Sequence, residues 1–168
     1  FLIAWEIMAL SAFVLVIFEN DKTPVIKAGI NYLIQSHVSI LFLMLGFMWV
    51  SLKTGSYDFA AIKQFSETNL EAASLLLFLF FFVGFAIKAG FVPFHTWLPY
   101  AHPAAPAYVS GIMSGVLIKV GIFGILRMIS FIRTDYTTIG YLILTISIIS
   151  SLYGVMLAII QHNIKKLL

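Results

Sequence analysis

Long apolar runs constrain this chain more than any other feature. A helix that crosses a bilayer needs about 20 consecutive apolar residues. The sequence reaches or approaches that length in about five places, which we read as spans at 1–18, 31–52, 71–98, 107–129 and 136–160. Polar stretches at 19–24, 53–56, 57–69 and 161–166 separate or close them. Hydrophobic residues make up 61% of the chain and charged residues 10%, against about 45–50% and 25% in soluble domains. The expected fold class is all-α, a polytopic transmembrane helix bundle. A soluble helical core is the competing reading, and repeated membrane-length runs argue against it. The chain opens at Phe1 inside an apolar run and stops at Leu168 without a tail, so residues 1–168 read as a fragment of one larger transmembrane domain.

The third run is too long for one span, at about 28 residues. It carries Lys88, then Gly90, then Pro93 and Pro99. Proline has no N–H to donate and clashes with the preceding turn. The run therefore reads as a helix, a break around Gly90 and Pro93, and a short second piece. Residues 102–106, with Pro103 and Pro106, read as a turn, because proline biases its predecessor away from helix. Broken backbone is not tolerated against lipid, and a charge at membrane depth is costly. Lys88 beside a break is thus expected to face protein or trapped water.

Two more ionisable residues sit at similar depth. Glu6 lies about 12 residues before the end of the first span, or about 18 Å along the helix. Lys119 lies about 13 residues into the fourth span, again near the middle of a segment of about 20 residues. Burial disfavours the charge of a lone lysine or carboxyl, and an opposite partner restores it. A Glu6–Lys88 pair would therefore hold both charges, and separating the two would let the lysine release its proton. We expect Glu6 to modulate Lys88, and Lys88 and Lys119 to exchange protons through water. The structural alternatives are a static ion pair, or charges that reach the interface on their long stems. His37, His95 and His102 are possible relays, since histidine titrates near neutral pH. A hydrogen-bonded core histidine, or a cap for the broken backbone, explains the same residues. His162 reads as interfacial.

The fourth span carries Ser110, Gly111, Ser114, Gly115, Gly121 and Gly124. Gly111 and Gly115 form a small-xxx-small pair of the kind that lets helices approach closely. The phenylalanines around Phe78 and Phe80–Phe82 are expected to face lipid. There is no cysteine, so no thiolate-held zinc or iron–sulfur cluster is expected in this chain. The histidines lack metal-helix spacing, so no metal or cofactor site is assigned. No nucleophile triad, phosphate loop or dinucleotide fingerprint occurs. A net charge of +3 without a basic patch does not suggest nucleic acid. Lysine and arginine divide almost evenly between the two ends of the spans, so they leave the orientation open.

Four segments together resemble the proton-conducting antiporter-like membrane subunits of NADH:quinone oxidoreductase, the multisubunit sodium/proton antiporters and the membrane hydrogenases. Trp5-Glu6-Ile7-Met8 is similar to the glutamate-bearing helix of that family. Lys88 to Pro99 resembles its discontinuous, lysine-bearing helix. Met113 to Gly121, followed by Gly124 and Arg127, resembles the next helix with the second lysine. Gln161 to Leu168 resembles the loop that opens the following helix. Residues 101–106, 113–115 and 161–162 look closest to the branch of hydrogenase-4 component B and formate hydrogenlyase subunit 3. Tyr100 and Asn163 depart from the family pattern, where aspartates are common.

The resemblance implies an inverted-repeat antiporter-like fold, of which this chain would hold most of the first repeat. It implies a proton-translocating subunit of a respiratory-type oxidoreductase complex in the inner (cytoplasmic) membrane. Metal clusters and redox chemistry would belong to partner subunits, and no redox site is expected here. Glu6, Lys88 and Lys119 would carry the protons. One alternative is a cation/proton antiporter subunit that also handles Na+. Another is a scaffold that anchors redox subunits and moves no ions.

Overall fold

The computed structural model describes residues 1–19 and 22–161. Among the described residues seven helices follow in order: α1 (Leu2–Val16), α2 (Thr23–Thr54), α3 (Phe59–Thr68), α4 (Glu71–Ala89), α5 (Leu98–Ala104), α6 (Ala107–Phe131) and α7 (Tyr136–Ile160). No strand occurs among the described residues. Four helices (α2, α4, α6 and α7) are long and apolar enough to cross a membrane, and α1 is a shorter apolar helix.

Helix α4 is the axis of the bundle. It lies between α2 and α6, and α3 packs across both its start and α6. Within its apolar window 61% of residues are buried, more than in any other candidate span. Phe78, Phe81 and Phe82 are sequestered inside the bundle, which corrects the expectation that they face lipid. The reason lies in their neighbours. Phe81 meets the bare backbone of Gly46 on α2, and Phe85 fills the space left by Gly124 on α6. Lipid tails are as apolar as these rings, so what favours the arrangement is close packing rather than removal from water.

The tightest approach joins α4 and α6. A Cβ at Gly121 would lie 2.7 Å from the Ala89 nitrogen and 2.8 Å from the Phe85 oxygen. Gly111 and Gly115, expected to serve this purpose, have nothing within 4 Å of a would-be Cβ. The small-xxx-small pair therefore points away from the described bundle, and Gly121 and Gly124 make the close contact. A π-helical turn at Met113–Leu117 interrupts α6.

Element boundaries differ from the sequence expectation in places. Helix α2 begins at Thr23 instead of residue 31, with Pro24 in its first turn, where a missing N–H costs nothing. It ends at Gly55 in the left-handed conformation. The polar connection 57–69 contains α3, whose Ala61, Ile62, Phe65 and Ser66 form a buried face. Residues 102–106 are not all turn. Helix α5 runs through Pro103 to Ala104, and the extended residue is Ala105, immediately before Pro106. Asp135 caps α7, accepting hydrogen bonds from the backbone N–H groups of Thr137 and Thr138 and from the Thr138 hydroxyl. These bonds, that of the Thr138 side chain first, hold its carboxyl below the usual range.

Helix α7 stands largely apart, with none of its apolar window buried. It touches the bundle near Ile139 and again at Ser150 and Tyr153, beside the broken helix. His162, Asn163, Lys165 and Lys166 lie outside the described residues.

Candidate functional site

The break follows from glycine chemistry. Gly90 adopts φ 73°, a region that side chains avoid. Its N–H reaches the Ile87 carbonyl, and the Phe91 N–H reaches the Ala86 carbonyl. This pair of bonds is a Schellman closure of α4. The backbone then turns through Pro93 and enters α5 at Leu98. Groups freed by the break find specific partners. The Val92 N–H donates to Ser150 Oγ of α7 at 3.1 Å. Trp97 Nε1 donates to the Ile87 carbonyl at 2.8 Å. Thr96 Oγ1 accepts a hydrogen bond from Gln35 of α2. Lipid could satisfy none of these groups, so the break holds together only inside protein.

Lys88 occupies the last turn of α4 and is 1% exposed. Its Nζ lies 2.6 Å from Tyr32 Oη and 3.4 Å from Ser36 Oγ, one turn apart on α2. The Tyr32 ring stacks edge-on against Trp97 from the broken segment. The break and the lysine cradle are thus one packed unit.

Glu6 does not bond Lys88. Its Oε1 lies 3.1 Å from His37 Nε2, and His37 Nδ1 lies 2.9 Å from the Leu33 carbonyl one turn earlier. The expected Glu6–Lys88 ion pair is therefore replaced by two neighbouring contacts on α2. Tyr32 and Ser36 hold the lysine, while Leu33 and His37 hold the glutamate. Glu6 Oε2 is buried and has no partner.

The other candidates surround the break. His95 packs against Tyr153 of α7 with ring centroids 4.8 Å apart, and its buried Nδ1 has no partner. His102 is buried, with Nδ1 2.6 Å from Ser110 Oγ and Nε2 unpartnered. Both line a cavity of about 490 Å³ between the broken segment and α7, to which Thr96, Ser150, Tyr153 and Gln161 also contribute. The cavity has room for water beside Thr96, Ser150 and Tyr153.

Lys119 is not gathered into this site. It projects from the exposed face of α6, between the exposed Val116 and Phe123. The structure thus joins Glu6 to His37 and Lys88 to the break, and leaves Lys119 on another side of the bundle. Sequence reasoning missed Tyr32 and Ser36. Asn31, Tyr32, Gln35, Ser36 and Ser39 form a polar stripe in a largely apolar helix, and that pattern could have revealed them.

A bundle of apolar helices around a broken, lysine-bearing helix defines a polytopic membrane protein with an ionisable interior. More specifically, the chain belongs to the family described as NADH:quinone oxidoreductase/Mrp antiporter, transmembrane, whose pattern matches residues 1–168. It is 40% identical to hydrogenase-4 component B of Escherichia coli (strain K12), covering 100% of this chain and 25% of that protein. It is 30% identical to NADH-ubiquinone oxidoreductase chain 4 of Marchantia polymorpha, covering 100% of this chain and 34% of the relative. The fold resembles a chain of the membrane-bound sulfane sulfur reductase, an archaeal respiratory membrane complex. The TM-score is 0.89 at 20% identity, over 99% of this chain and 34% of that one. The chain thus spans only a quarter to a third of these relatives' length.

Proposed function

We propose that this chain is part of a proton-translocating membrane subunit of a respiratory-type oxidoreductase complex, most like the hydrogenase-4 and formate hydrogenlyase branch. Electron transfer and its metal clusters belong to partner subunits in this reading, and the complex sits in the inner (cytoplasmic) membrane. Glu6, Lys88 and Lys119 carry protons, with His37, His95 and His102 as relays around the break at Gly90 and Pro93.

The observation that carries the reading is Lys88. It is fully buried, and its two hydrogen-bond partners are neutral hydroxyls. A hydroxyl accepts from an ammonium and donates to an amine, so Tyr32 and Ser36 can hold the lysine in either protonation state. A lysine kept for structure alone would instead call for a carboxylate, because an unpaired buried charge is costly. The break beside it borders a cavity with room for water.

The test is proton movement in membrane vesicles driven by the intact complex, with electron transfer followed in parallel. Lys88→Ala is expected to lower protons moved per electron at least about tenfold while the complex still assembles, as for loss of a directly participating acid–base group. An unchanged ratio would favour the scaffold alternative. Repeating the assay with and without Na+ separates this reading from a cation/proton antiporter.

A further inference from the structure

The hydrogen bonds of His37 fix how many protons it shares with Glu6. The Leu33 carbonyl can only accept, so His37 Nδ1 carries a proton. The Nε2–Oε1 contact of 3.1 Å then has two arrangements. Either an imidazolium donates to a carboxylate, or a carboxylic acid donates to the free Nε2. Both place one proton in the bridge, and both leave the pair neutral.

We propose that Glu6 and His37 form a one-proton store, in which His37 is the group that loads and unloads the glutamate. The proposal deepens the proton-translocation reading and rests on it. Adding one proton from water gives a carboxylic acid beside an imidazolium, with the Nε2–H donating to the acid's carbonyl oxygen. Removing one proton, to water or to the Lys88 amine, leaves a carboxylate facing the Nε2 lone pair. Those two acceptors repel, and the bridge opens. Glu6 is then released as a free anion beside α2, whose next residues, Tyr32 and Ser36, hold Lys88. The other carboxylate oxygen of Glu6, Oε2, is buried and has no hydrogen-bond partner. Other ionisable groups on α2 and on the helices packed against α1 and α2 are Lys27, Tyr32 and Lys53 on α2, Glu71 and Lys88 at the two ends of α4, and Tyr100 and His102 on α5. Asp58, Lys63 and Glu67 belong to the α3 end of α2, about 25 Å along the helix from His37.

Infrared spectra of the assembled complex, taken across pH, report the protonated carboxyl of Glu6. Its band is assigned by its loss in Glu6→Gln. The band and the His37 ring modes are expected to change together. In His37→Asn and in His37→Gln the carboxyl band is expected to follow a different course with pH from wild type. The glutamine variant keeps a donor towards Glu6 but cannot exchange a proton, so a change in both variants excludes simple loss of packing. A band that follows pH as in wild type in both variants overturns the proposal, as does a carboxyl band absent at every pH. Failure of the transport reading is seen elsewhere, as an unchanged proton-to-electron ratio in Lys88→Ala.

Discussion

Lys88 is the residue whose energetics separate function from structure. A buried ammonium held by two hydroxyls retains a desolvation cost that such contacts offset only in part. Tyr32→Phe removes the shorter contact and leaves the charge in place. It is expected to destabilise the solubilised complex by about 1–3 kcal/mol, the range for a buried polar group left unmatched. Lys88→Met combined with Tyr32→Phe removes donor and acceptor together, and is expected to be at least as stable as wild type while failing to move protons. Thermal melts of wild type, Tyr32→Phe, Lys88→Met and the double variant form a cycle that isolates the pair. If the double variant melts as low as Tyr32→Phe alone, the lysine supports the fold and its placement is structural. At this scale the sequence was informative about depth and poor about partners. Glu6 and Lys88 stood out because charges are rare in apolar runs. That Glu6 meets His37 instead of Lys88 depends on the rotation of α1 about its axis. The apolar pattern of α1 does not fix that rotation, because the helix is hydrophobic nearly all round.

At the scale of elements, glycines set how closely helices approach, and their neighbours decide what a substitution costs. At Gly121 the neighbours are backbone atoms of Phe85 and Ala89, which cannot rotate away. At Gly46 the neighbour is the ring of Phe81, 3.0–3.2 Å from the would-be Cβ, and a ring can shift slightly. Gly121→Ala is therefore expected to cost about 1–3 kcal/mol through overpacking, and Gly46→Ala less. Denaturation of the two variants in the same detergent gives the comparison, and equal costs would mean that α6 can move away from α4. The sequence singled out the wrong glycines, because small-xxx-small spacing identifies a face without saying what lies opposite. The break was legible, since Gly90 and Pro93 both punctuate an apolar run. Helix α3 was not, because its buried face spans only a few residues within a polar stretch. The π-turn in α6 left no sequence signal that we can identify.

At the scale of the whole molecule, the described bundle leaves one face that lipid cannot cover comfortably. Lys119 projects from α6 among Ile112, Val116, Phe123 and Leu126, all exposed. A lysine at the centre of a spanning helix costs about 2.5–3.5 kcal/mol on insertion scales. The broken span was readable from apolar length. The covering of this face was not, because side-chain periodicity cannot distinguish a lipid-facing stripe from one that meets further protein. Since the matched region is 25% of hydrogenase-4 component B, a homologous protein has ample chain to pack here. We therefore expect Lys119 to be enclosed by protein in the membrane-embedded complex. Spin labels at Val116→Cys and Phe123→Cys, on the turns either side of Lys119, test this through collisions with dissolved oxygen, which concentrates in lipid. Low accessibility at both sites, with little change when the bilayer is thinned, is the expected result. High accessibility at both would place Lys119 against lipid, where its stem must carry the charge towards the interface. A lysine in that position could not exchange protons with Lys88 through an interior water chain, and α6 would drop out of the proposed route.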